Sequence, residues 1–155
     1  MVEVDVQQEG VGMTPTLFGR IQTRIFLVAL VGSIWTLIIT PLLPGDGVDY
    51  SMTFSILLVV GVAGVVWEFV YHALQQFRWE KDWPTILGLV TGINEGVLVW
   101  FLVDAGLAPG IDEGVVPLST FVWHFATTWV VIFLYVNGPM RVPFIRWRFR
   151  GGRLI

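Results

Sequence analysis

The chain has 155 residues, nine Lys and Arg against twelve Asp and Glu, and no cysteine. Its residues are 55% hydrophobic and 14% charged, with a mean hydropathy of +0.74, whereas soluble domains carry about 25% charged residues. This excludes an ordinary soluble domain and a disordered chain, and the missing cysteine excludes disulfide scaffolds, thiol nucleophiles and cysteine metal sites.

Residues 1–19 are polar and contain Glu3, Asp5 and Glu9, which predicts a mobile cytoplasmic tail. A membrane-spanning helix needs about 20 mostly apolar residues. Four segments meet that length, at 25–43, 53–74, 84–104 and 117–137. The first follows Arg20 and Arg24, as a signal peptide would. It is too long for a signal sequence, and Pro41 and Pro44 follow it in place of a small-residue cleavage site. It reads as a retained helix. Ser51 is placed to cap the second span, and Pro84 and Pro117 open the third and fourth, where a first-turn proline is tolerated. The connections are nine, nine and twelve residues long. Sequential helices should therefore pack antiparallel in one bundle. The predicted fold is all-α: a four-helix transmembrane domain over 20–138, followed by a basic, aromatic tail over 139–155.

The basic residues set a direction. Arg20 and Arg24 precede the first span, Arg78 and Lys81 lie between the second and third, and Arg141, Arg146, Arg148, Arg150 and Arg153 follow the fourth. With four alternating spans all nine fall on one side. The two opposite loops carry Asp46, Asp49, Asp112 and Glu113 instead. The positive-inside rule then puts both termini in the cytoplasm and the chain in the plasma membrane. Trp79, Trp83 and Trp147 fall at that interface, where indole rings anchor.

Several polar residues interrupt the spans. Glu95 lies roughly 16 Å into the third and His124 roughly 20 Å into the fourth from the cytoplasmic side. Their depths agree within about one helical turn, so an ion pair or hydrogen bond between them is geometrically possible, with Thr127 and Thr128 one turn away and Asn94 beside Glu95. Glu68 and His72 form an i, i+4 pair near the cytoplasmic end of the second span. Ionisable groups inside a membrane point to a proton or ion relay, a substrate path or a partner contact; the structural alternative is a network that fixes helix register. A metal site is disfavoured by the Glu-x-x-x-His spacing, where helical bundles use Glu-x-x-His. No metal or other cofactor is expected.

Gly88, Gly92 and Gly96 give the third span a GxxxGxxxG face. Such a face permits close helix approach, either inside the bundle or against another protein. The C-terminal RVPFIRWRFRGGRLI alternates basic with aromatic or apolar residues, which suits an anionic leaflet surface. Five arginines held at a membrane surface make nucleic acid an improbable partner. No phosphate-binding loop, zinc motif or nucleophile elbow is present, so the chain does not read as an enzyme. A small multidrug-type transporter also combines four helices with a membrane glutamate, but there the glutamate lies in the first span.

The stretches TLFGRIQTRIFLVALVGSIWTLIITPLLPG and WEFVYHALQQFRWEKDWPTILGL resemble small four-span proteins of unassigned function from mycolic-acid-containing actinobacteria. The resemblance implies an accessory subunit of a larger membrane machine, either an Mce-type lipid importer or a respiratory supercomplex. It carries over no functional residue. The expected role is a non-enzymatic subunit that packs on such a complex within the lipid bilayer. A small proton-coupled transporter, working as a homodimer through Glu95, is the alternative.

Overall fold

The computed structural model describes residues 16–77, 85–144, 147 and 153–154, without the side chains of 75–76 and 85–89. The described residues are helical with no strand. Three helices, Leu17–Leu42, Tyr50–Leu74 and Leu118–Arg141, are long and apolar enough to cross a membrane. A further helix, Thr85–Asp104, has 20 residues, or about 30 Å at the helical rise.

The first helix starts eight residues before the apolar run that predicts it. α1 (Leu17–Phe26) is capped by Thr16, whose hydroxyl accepts the Gly19 amide at 3.2 Å. It continues as a π-helical stretch, Leu27–Gly32, then α2 (Ser33–Ile39) and a 3₁₀ turn at Thr40–Leu42. Arg20 and Arg24, expected to flank the span, therefore lie within it. The π-helical stretch sets which residues face inward. In a continuous α-helix Arg24 and Thr36 would lie about 120° apart. Six residues with wider i→i+5 turns advance less per residue and bring both onto the inward face. The Thr36 side chain is fully buried and that of Arg24 nearly so.

α3 (Tyr50–Gln76) extends the second span at both ends. Its cap is Asp49, whose carboxylate accepts the Met52 amide at 2.8 Å, and the expected cap Ser51 lies inside the helix. α4 (Thr85–Asp104) and α5 (Leu118–Asn137) match the third and fourth spans within one residue. Pro117 precedes α5 with extended backbone. A 3₁₀ turn, Pro139–Arg141, follows Gly138.

The loop between α4 and α5 turns back into the bundle. Ala108, Ile111 and Val116 are buried with Ile56, Val60, Val99, Val103 and Phe121, so this end is closed by apolar side chains. Thr120, in the first turn of α5, ties that helix to the loop before α3, its hydroxyl donating to the Pro44 carbonyl. Thr120→Val removes this part-buried hydrogen bond and should cost about 0.5–1.5 kcal/mol, read from the denaturation midpoint in detergent. The outer surface is apolar, with Val62, Val66 and Phe69 of α3, Ile93 and Phe101 of α4, and Trp123 and Leu134 of α5 exposed. At the opposite end the chain after α5 folds back over α1. Trp147 Nε1 donates to Thr23 Oγ1 at 2.8 Å, and Phe144 meets Phe26 edge-on.

Candidate functional site

Arg24 is the centre of the polar interior. Its Nη1 and Nη2 donate in parallel to the two carboxylate oxygens of Glu95, each at 2.7 Å. Its Nε donates to Glu68 Oε1 at 2.9 Å. The second Glu68 oxygen accepts from Arg20 Nε at 2.6 Å. All four carboxylate oxygens thus accept a guanidinium hydrogen bond, and two arginines balance two glutamates inside the bundle. A planar guanidinium suits this role, because its donors are fixed in a fork that matches a carboxylate. The side chain of Glu95 is 1% exposed, so its charge has no solvent to fall back on.

Two glycines and one indole shape the seat of Arg24. A Cβ on Gly64 would fall on the Arg24 guanidinium. On the other side the guanidinium lies 5.8 Å from the Trp129 ring centroid, within cation–π range. A Cβ on Gly92 would in turn fall inside the Trp129 indole, and one on Gly96 would come 2.7 Å from Phe125. Phe121, Phe125 and Trp129 stack along α5 at successive turns. The Gly92 and Gly96 face is therefore packed internally, against aromatic rings of α5. Gly88 lies in α4, but its surroundings are outside the described residues.

Glu95 and His124, close enough in depth to pair, have two separate sets of contacts. Glu95 is taken by Arg24, because the first helix begins early enough to carry that arginine to the depth of Glu95. His124 is fully buried, and its Nε2 lies 3.0 Å from Thr36 Oγ1. Beyond Thr36, the Thr40 hydroxyl donates to the Thr36 carbonyl at 2.6 Å or pairs with Thr53 Oγ1 at 2.9 Å. Thr36, Thr40 and Thr53 are all buried. His124 Nδ1 and Thr128 Oγ1 have no hydrogen-bond partner among the described residues. Thr127 instead accepts Trp35 Nε1 at 3.1 Å.

The remaining predicted residues lie elsewhere. His72 is one turn from Glu68, and its Nδ1 has no hydrogen-bond partner among the described residues. Asn94 is exposed on the outside of α4. Arg141 is exposed and donates to Asn137 Oδ1 at 3.1 Å, and Arg153 is exposed. Arg146, Arg148 and Arg150 fall outside the described residues, as do Arg78 and Lys81.

A cavity of about 420 Å³ adjoins the ion-pair cluster. It reaches from Arg20, Asn137 and Arg141 at the end bearing the chain termini to His124 and Thr128 inside. Arg24, Glu68, Tyr71 and Thr91 line it together with the apolar Leu27, Val28, Ile132 and Phe133.

Comparison of the chain with protein-family models, with curated proteins and with solved structures gave no match. The site is therefore interpreted from its own chemistry.

Proposed function

We propose that this protein is a non-enzymatic accessory subunit, which crosses the plasma membrane four times with both termini in the cytoplasm. It packs on a larger membrane complex and stabilises or modulates it. The observation that carries this reading is Asn94. It is the tenth of twenty residues in α4, so its amide is exposed at mid-span. In hydrocarbon such an amide has no water to bond, and polar side chains at this depth join helices by hydrogen bonding across the interface. Val90, Ile93, Val97 and Phe101 flank it on the same face and are also exposed. Their three- and four-residue spacing is that of a helix-packing seam. The closed pairing of Glu68 and Glu95 supports a structural role, since Glu95 as a mobile carrier would have to break two guanidinium bonds to leave Arg24.

An Mce-type lipid importer is the favoured host, on the strength of the sequence resemblance. The test is a tagged pull-down from native membranes in mild detergent. Stoichiometric recovery of importer subunits is expected, and Asn94→Leu should release them while the variant stays folded. Recovery of a respiratory complex would move the subunit to that machine. Recovery of the chain alone, or only with itself, would overturn the accessory role. The transporter alternative has its own check: Glu95→Gln would abolish coupled uptake if Glu95 were the carrier, whereas unchanged uptake is expected.

A further inference from the structure

The cavity beside the ion-pair cluster has the size and the lining of a ligand site. Its volume of about 420 Å³ lies within the roughly 300–1,000 Å³ of sites that hold small organic molecules, which are mostly apolar with a few placed polar groups. It forms where two helices part. α1 packs on α3, whereas α5 packs on the π-helical stretch and on α2. From Leu27 towards the termini the cavity separates the first helix from α5. Leu27 and Val28 of the first helix and Ile132, Phe133 and Val136 of α5 give it apolar walls. Its inner charged groups, Arg24 and Glu68, are bonded to each other. Apolar walls left bare forfeit their dispersion contacts, and they give water little to bond. In a bilayer the material at this depth is hydrocarbon.

The end of the cavity nearest the termini is charged. Arg20, Asn137 and Arg141 line it. Arg20 and Arg24 are balanced by Glu68 and Glu95. Arg141 is exposed, donates to Asn137 Oδ1, and pairs with no carboxylate among the described residues. A net positive charge therefore stands where the apolar space ends. Basic pockets between membrane helices at such a surface take anionic lipid headgroups. A cation at the mouth with hydrocarbon walls behind it complements a phospholipid whose head carries net negative charge. A zwitterionic head, whose ammonium cancels its phosphate, fits it less well.

We infer that the cavity binds an acyl chain of an anionic phospholipid from the leaflet on the side of the termini, with the lipid phosphate at Arg141. This site requires the chain to lie in a membrane, as proposed above, and is independent of any host complex. The test uses the full chain in phosphatidylcholine vesicles that contain a small fraction of phosphatidylglycerol with a diazirine on one acyl chain. After illumination the labelled residues are mapped by mass spectrometry. Labelling is expected at Leu27, which is only 5% exposed, as well as at lipid-facing Val66, which is 59% exposed. Label at Val66 but not at Leu27 would overturn the site and leave membrane insertion standing. Label at neither would overturn both.

The headgroup is tested with a phosphatidylcholine probe bearing the same chains. The ratio of label at Leu27 to label at Val66 should be about fivefold higher for the anionic probe, the worth of one arginine at an anionic surface. Arg141→Gln should bring the two probes together. Val136→Phe narrows the cavity and should lower label at Leu27 while Val66 is labelled as before. Excess glycerol phosphate should change nothing, because it has no chain to bury. Equal ratios for the two probes in the unaltered protein would overturn the assignment of an anionic head to Arg141. Loss of the Leu27 label on adding glycerol phosphate would make the site one for free phosphate and overturn the lipid reading.

Discussion

Arg24→Leu is expected to be among the most destabilising single substitutions in this protein, at about 3–5 kcal/mol. It leaves Glu95 with neither of its two guanidinium bonds and Glu68 with one of its two. The cost comes from stranding buried charge; the pairs need not have stabilised the fold by that amount. Arg24→Lys should recover only part of the loss, because one ammonium cannot reproduce a fork that spans two carboxylates. The double substitution Arg24→Leu and Glu95→Leu removes the stranded charge while Glu68 keeps Arg20, and should be more stable than Arg24→Leu alone. The check is the loss of the monodisperse species after graded heating in detergent, followed by gel filtration. A double variant no more stable than the single one would mean that the guanidinium matters through packing on Gly64 and Trp129, not through charge.

The positions of the helices were legible in the sequence because hydropathy reports them directly. The third and fourth spans agree with α4 and α5 within a residue. The first did not, because Arg20 and Arg24 read as the end of an apolar run. Their i, i+4 spacing and the apolar Leu17, Phe18 and Ile21 around them are the signals that the helix continues. Two membrane glutamates with no basic partner inside the spans were a further sign, since ionised groups at that depth need opposite charges. Equal depth alone suggested Glu95 with His124. Depth does not fix azimuth, and the azimuth of the first helix is altered by a π-helical stretch that apolar residues do not announce. The outward direction of Asn94 was equally hidden, because it depends on which neighbour Glu95 turns to face.

The glycines of α4 show the same distinction between pattern and partner. A GxxxG face is read as a place where another backbone comes close, yet Gly92 and Gly96 receive the rings of Trp129 and Phe125. Gly92→Leu is therefore expected to destabilise the isolated chain by about 1–3 kcal/mol, the usual penalty of an overfilled core. The real loss should fall at the upper end, because Trp129 cannot yield without disturbing Arg24, 5.8 Å from its ring. Combining Gly92→Leu with Trp129→Ala gives the new side chain the volume of the missing indole, and the pair should be less destabilised than the sum of the single changes. Thermal unfolding of the four proteins in detergent measures this coupling. Were the glycine face a docking surface for another subunit, Gly92→Leu would leave the free chain unchanged and weaken only the complex. Asn94→Leu should show that second behaviour, because it lies on the opposite, exposed side of the same helix. The two substitutions therefore separate the face of α4 that holds the bundle together from the face proposed to meet a partner.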